Sequence, residues 1–505
     1  MAWSQLEPTA PHLTYIVLSS FLIAYALFSL FIRNRLHLSE PPLATVFGII
    51  FGPHGARVLH PQQWGMDDLH MQELTRLILG IQVFSTGIEL PPGYFSLGPR
   101  GNWQSVLVLI GPVMVFGWLV CAALIWALLG VDFAVALVIS ACMTPTDPVL
   151  AASVLANSQF STRVPKRLRR LLSAESGCND GASFPFLYVG LFALTSATSG
   201  EAVKQWFLIT LLWQCAFGVV LGVTLGFAAN RVLRFVHARD FIGRASYLVF
   251  YLLAAVFCTG VAATLGTDDF LLAFSAGVGF NHDGWFRREI AQTRLPHIID
   301  LILNSTMFVL FGASIPWSQF SSSWSALPSG TSSAVSLGPG RLLALLACIL
   351  LLRRIPAVLA AKPLIPDLQT YREALFAGHF GPIGVGALFL ALEARAQLET
   401  GTSQPLPYPP ADGDAAGLSP QRRLATLVVW PVVCFIVLGS TMVHGCSTLA
   451  ISVGSHFSRK EGERAPLIGA ETDGFGAMVY DEDEVEEEEW EEENEENEVE
   501  NGVED

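Results

Sequence analysis

Within an otherwise apolar stretch, Thr144-Pro145-Thr146-Asp147-Pro148 places two prolines, two hydroxyls and a carboxylate in five consecutive residues. Neither proline has an N–H to give to the carbonyls of Ala141 and Thr144, so a helix should open there and expose oxygens able to ligate a hard cation. Thr144, Thr146 and Asp147 are therefore candidate ligands. On the next apolar run, Glu175-Ser176-Gly177-Cys178-Asn179-Asp180-Gly181 adds two carboxylates and an amide. At 3.6 residues per turn Glu175 and Asn179 share a helix face, with Asp180 turned about 100° further round, so the two acids can serve different partners. A carboxyl in low dielectric without a fixed counter-ion keeps its proton to higher pH than in water and can hold either a proton or a small cation. That competition is itself an exchange chemistry, with Asp180 as its candidate seat and Asn179 beside it.

A third motif, Arg372-Glu373 followed by Gly378-His379-Phe380-Gly381-Pro382-Ile383-Gly384, interrupts a later apolar run. Paired interruptions in corresponding halves of a chain point to a transporter built from inverted repeats. Charges inside membrane helices cost about 2.5–3.5 kcal/mol each on insertion scales. Arg372 is accordingly expected to be the ion-pair partner of Glu175. His379 is expected to be a core histidine satisfied by its neighbours, although its titration range would suit pH sensing.

The elements that must carry these motifs are membrane helices. Over 505 residues the chain is 52% hydrophobic and 14% charged, against about a quarter charged in ordinary soluble domains. Apolar runs of about 20 residues fall near 13–32, 42–57, 70–90, 104–129, 132–156, 170–198, 206–230, 246–266, 269–281, 296–316, 340–361, 372–396 and 424–452. About thirteen transmembrane helices are predicted, with the unwound segments on the fifth and twelfth. The first run is too long for a signal-peptide core and reads as a membrane helix. Basic residues cluster at every second connection: Arg33/Arg35, Arg100, Arg163–Arg170, Arg231–Arg244, Arg287–Arg294, Lys362 and Arg459–Arg464. By the positive-inside rule this sets the N-terminus outside and the C-terminus in the cytoplasm, with Arg422 and Arg423 as the exception.

The formal net charge of −15 belongs to the tail, since residues 481–505 hold 17 of the 44 acidic residues and no Lys or Arg. Such a run reads as solvated and disordered. The expected organisation is a membrane domain over 1–457, a cytoplasmic linker over 458–480 and the acidic tail over 481–505. The eight cysteines lie in apolar runs and read as small hydrophobes, not as a disulfide framework. Gly218-x3-Gly222-x3-Gly226 is read as internal helix packing, and the sequon Asn304-Ser305-Thr306 lies mid-span, out of reach of glycosylation. The chain contains no HExxH zinc site, Walker A loop or serine nucleophile elbow, so an enzyme reading has no centre to rest on.

The stretches Thr144–Val149, Ala174–Gly181, Gly266–Phe286 and Arg372–Gly386, spread over a region from about 13 to 455, resemble the fungal plasma-membrane sodium/proton antiporters of the cation/proton antiporter superfamily. The resemblance implies an all-α polytopic, inverted-repeat antiporter fold with discontinuous crossing helices. It further implies a homodimer, in which a core domain moves against a dimerisation domain. It implies exchange of Na⁺, with Li⁺ and K⁺ as further candidates, for H⁺, serving cation extrusion, salt tolerance and pH homeostasis, with no cofactor. Carried over by motif, Asp180 looks like the cation- and proton-binding carboxylate with Asn179 beside it. Thr144, Thr146 and Asp147 look like contributors from the crossing region, and Glu175 with Arg372 like the supporting ion pair. Asp268, Asp269 and His379 match the fungal pattern as secondary candidates. Val278–His282 departs from it in lacking a more aromatic run, which bears on selectivity, and the tail lacks the long extension of some fungal members. The competing reading is a cation channel or transporter-like sensor that uses the same site without coupled exchange.

Overall fold

Hydrocarbon offers no partner to backbone N–H and C=O groups, so apolar runs satisfy them internally as helices. The computed structural model describes residues 7–96, 98, 101–147, 151, 164–290, 295–324, 335–408, 418–447, 449 and 450. Each of the thirteen apolar runs carries helix. In chain order these are α1 (Ala10–Asn34), α2 (Glu40–Phe51), α3 (Asp68–Glu89), α4 (Trp103–Leu129), α5 (Phe133–Cys142), α6 (Lys166–Ala182), α7 (Phe184–Thr195), α8 (Ser199–His237) and α9 (Arg244–Leu265). There follow α10 (Asp269–Phe280), α11 (Trp285–Ile290), α12 (Leu295–Ser314), α13 (Pro339–Leu352), α14 (Ile355–Ala361), α15 (Tyr371–His379), α16 (Val385–Glu399) and α17 (Pro420–Gly445). Among the described residues, five helical stretches are long and apolar enough to cross a bilayer unaided: Ala10–Arg33, Trp103–Leu129, Ser199–His237, Pro339–Leu364 and Pro420–Gly445.

Three further runs are divided, the last of them at the interruption that its sequence predicts. The run 170–198 kinks at Ser183, where Pro185 opens α7 and cannot bond back into α6. The run 340–361 breaks at Arg353 and Arg354, one residue before Ile355-Pro356 opens α14. The run 372–396 breaks over Phe380–Gly384. In α4, Pro112 is accommodated by a π-helical turn over Leu109–Val113. The Ser/Gly/Pro-rich connection at 318–340 contains a short antiparallel pair, Ser323–Trp324 with Val335–Ser336.

Small residues let the helices approach closely. A Cβ added at Gly222 or Gly226 of α8 would run into the backbone of α10, at Leu272 and at Ala276 and Phe280. The glycine repeat therefore packs internally, as expected. Gly48 of α2 faces Val309 and Gly312 of α12 in the same way. Large apolar side chains that remain exposed, such as Leu27 and Phe28 on α1, Leu208 and Trp213 on α8 and Leu253 and Phe257 on α9, belong to helices long or apolar enough to meet lipid. The eight cysteines are free thiols. Pro148, Val149, Arg163 and everything from 451 on, including the linker and acidic tail, lie outside the described residues.

Candidate ion-binding site

The site forms where two helices stop in mid-bundle. α5 ends at Cys142, and two short-range bonds, from Met143 N–H to Ser140 C=O and from Thr144 N–H to Ala141 C=O, close its last turn. Beyond them the chain leaves the helix in a bend at Thr144 and Pro145. α15 begins in a capping box between Thr370 and Glu373 and ends at His379, after which Gly381 and Pro382 carry the chain to α16. The two non-helical segments meet there, and Asp147 N–H donates to Pro382 C=O at 2.9 Å. In return Val385 N–H donates to Asp147 Oδ2 at 3.0 Å. Asp147 thus caps the N-terminus of α16, where the helix dipole favours negative charge.

α6 faces this crossing. Asn179 Oδ1 accepts from Thr146 N–H at 3.1 Å, and Asn179 Nδ2 donates to Thr146 Oγ1 at 2.7 Å, whose oxygen also pairs with Ser176 Oγ at 2.9 Å. Thr144 Oγ1 donates to Ala141 C=O and lies 3.2 Å from Ser183 Oγ. Thr144, Thr146, Asp147, Asn179 and Asp180 are therefore brought together. Their roles differ: the first four are engaged with one another, with neighbouring hydroxyls or with backbone and hold the crossing in register.

Asp180 is the exception. It is 2% exposed, and its Oδ2 has no hydrogen-bond partner among the described residues. Asp147 and Asp268 lie near enough to act on its charge. Two glycines leave it room: a Cβ on Gly386 would overlap Asp180 Oδ1, and one on Gly384 would overlap the Asp147 carboxylate. A cavity of about 20 Å³, lined partly by Thr144, Glu175 and Asn179, adjoins the crossing. That is room for one water.

The expected ion pair between Glu175 and Arg372 is not formed. Arg354 grips Glu175 with both terminal nitrogens, Nη2 to Oε2 at 2.6 Å, and its Nε donates to Ala377 C=O at 2.9 Å. Arg372 is exposed in the first turn of α15, away from the buried Glu175, and its neighbour Glu373 pairs instead with Arg167 at 2.6 Å. Sequence reading also passes over Arg353, which is buried and donates to Met143 C=O and to Gly381 C=O. One guanidinium thereby serves carbonyls left free by both helix breaks. The signal was present: two adjacent arginines before a proline inside an apolar run have the same insertion cost that singles out Asp180.

The secondary candidates divide. Asp268 caps α10, accepting from Phe270 and Leu271 N–H, and its Oδ1 lies where a Cβ on Gly181 would come within 2.9 Å, beside Asp180. Asp269 points elsewhere, to Arg76 on α3 at 2.9 Å. His379 is not at the crossing carboxylates; its Nε2 pairs with Ser447 Oγ at 3.1 Å and its carbonyl with His444 Nε2 at 3.0 Å.

Residues 18–453 match the family model described as "Sodium/hydrogen exchanger, transmembrane". The chain is 42% identical over 459 residues to a probable Na(+)/H(+) antiporter of Schizosaccharomyces pombe, covering 91% of this chain and 58% of that protein. It is 41% identical to Na(+)/H(+) antiporter 2 of Zygosaccharomyces rouxii, covering 91% of this chain and 55% of that protein. A second S. pombe Na(+)/H(+) antiporter is 36% identical, with 88% and 91% covered. The chain thus spans little more than half the length of the first two. The fold matches that of the sodium proton antiporter MjNhaP1 from Methanocaldococcus jannaschii, with a TM-score of 0.61 at 18% identity, covering 87% of this chain and 98% of that one.

Proposed function

The chain belongs to the sodium/hydrogen exchanger family, a family of membrane transporters, and on that premise we propose that it exchanges Na⁺ for H⁺ at Asp180. The observation that carries this reading is a buried carboxylate with an unpartnered oxygen, set against two crossed, unwound segments. A proton on Oδ2 neutralises the carboxylate; a dehydrated cation does the same, with oxygens of the crossing at hand. Because one group cannot hold both, movement of one is coupled to movement of the other. Asp147 is tied to the end of α16, so Asp180 is the group that turns over. Li⁺ and K⁺ are further candidates, selected by the size and field of the oxygen cage.

The wider reading is a plasma-membrane homodimer with its N-terminus outside and its C-terminus in the cytoplasm, acting in cation extrusion, salt tolerance and pH homeostasis. Residues 1–457 form the transport domain in this reading, followed by the linker 458–480 and the acidic tail. The names of the fungal relatives support the antiport itself, and the alternation of basic connections supports the orientation of the termini. The deciding experiment reconstitutes the full chain in vesicles with a pH-gradient dye and adds Na⁺ or Li⁺. Native protein should dissipate the gradient, whereas Asp180→Asn, folded by its thermal melt, should be silent. Equal responses from both would overturn the assignment, and cation flux without proton movement would favour a channel.

A further inference from the structure

The break between α15 and α16 separates backbone groups that a continuous helix would have joined, each N–H to the carbonyl four residues back. Gly381 N–H, which would have gone to Ala377 C=O, donates instead to His379 C=O at 2.9 Å, across an inverse γ-turn at Phe380 with φ −80° and ψ 69°. The Ala377 carbonyl so released accepts from Arg354 Nε. Pro382 has no N–H to give to Gly378 C=O. The next helical bond in the series would join Ile383 N–H to His379 C=O, and α17 enters it from the side. Ser440 Oγ accepts from Ile383 N–H at 2.8 Å, and His444 Nε2 donates to the second lone pair of His379 C=O at 3.0 Å. The two α17 side chains also touch each other, with Ser440 Oγ 3.2 Å from His444 Nδ1, and both are buried.

A carbonyl can only accept, so Nε2 carries a proton, and on a neutral ring Nδ1 then accepts from the Ser440 hydroxyl. On a doubly protonated ring Nδ1–H donates instead to Ser440 C=O, 2.9 Å away, and the bond to His379 is the same. Serine and histidine thus replace one helical hydrogen bond and hold its two ends apart with every polar group met. The segment held in this way carries Pro382 C=O, which accepts from Asp147 N–H, and leads into Val385 N–H, which donates to Asp147 Oδ2. We infer that Ser440 and His444 are positioning residues for exchange: as one unit they splint the unwound segment open and so fix the crossing beside which Asp180 takes its cation. The inference rests on the reading of Asp180 as the exchange site.

The test measures the Na⁺ dependence of exchange by the full chain in vesicles with a pH-gradient dye. Ser440→Ala and His444→Leu should each raise the half-saturating Na⁺ concentration about tenfold, the equivalent of one buried backbone group left without its partner. His444→Gln, whose amide nitrogen can still donate to His379 C=O, should recover most of that loss. Ser440→Ala combined with His444→Leu should raise it by less than the product of the two single effects, because the pair acts as a unit. A role in packing alone would reduce the amount of folded carrier, and with it the maximal rate, while leaving half-saturation where it was. Ser440→Ala removes a single oxygen and keeps the test open should His444→Leu fail to fold. Native half-saturation in Ser440→Ala would overturn the inference, as would equal shifts in His444→Gln and His444→Leu. The exchange reading fails on a different result, transport surviving in Asp180→Asn, so the two failures are distinguishable.

Discussion

A buried charge is tolerated when its partner arrives with it, and Glu175 shows how specific that demand is. Arg354 reaches it from the N-cap of α14 with both arms of the guanidinium, while Arg372, itself inside the third motif, is exposed. Arg354→Ala should strand Glu175 and cost about 3–5 kcal/mol, the range for breaking a buried pair from one side. Arg372→Ala should change stability by no more than about 0.5 kcal/mol, as for an ordinary surface substitution. Thermal melts of the two variants in one detergent check the difference, and equal losses would contradict the pairing. That Glu175 and Asp180 are buried was legible, because acids in an apolar run have few alternatives. Which arginine answers Glu175 was not, since the pairing depends on how α14 lies against α6, and nothing in the spacing of either motif records that.

At the level of elements, the two broken spans are read directly from Pro145, Gly381 and Pro382, residues that cannot sustain helical hydrogen bonding or favour its interruption. The third break, at Arg353, was marked only by Pro356 and by a charge pair that resembles the end of a span. Its consequence is larger than its signal, because Arg353 supports carbonyls of both unwound segments at once. Gly386 shows how tightly the crossing is set, since α16 approaches Asp180 where no side chain fits. Gly386→Ala should therefore displace the carboxylate and lower exchange on the order of a hundredfold, as a misplacement of about 1 Å does at a reacting centre. Gly260→Ala on α9, where a Cβ meets no other atom within 4 Å, should leave exchange unchanged. Dye-based exchange rates at matched protein density decide it; equal rates for the two variants would mean that the crossing is looser than drawn.

For the molecule as a whole, α3, α7, α10 and α16 are joined by a second buried charge network. Arg395 is fully buried and donates to Asp68 at 2.6 Å and to Glu399 at 2.9 Å. Glu393 accepts from Gln72 at 2.9 Å and Tyr188 at 3.2 Å, while Arg76 pairs with Asp269. None of these links was expected, although Arg76, Glu393 and Arg395 stand inside apolar runs. A linear chain shows that a charge must be met, but the helices that meet it are neighbours only after folding. The network fastens helices from distant parts of the chain, so its weakening should be felt globally. Arg395→Ala leaves Asp68 and Glu399 facing each other and should cost about 3–5 kcal/mol. Adding Asp68→Asn and Glu399→Gln removes both uncompensated charges and should recover most of that loss, because a buried ion pair replaced as a unit is often close to neutral. Thermal melts of the single and triple variants separate the two accounts: recovery shows that the cost lay in unpaired charge, and no recovery shows that it lay in the packing of the Arg395 stem.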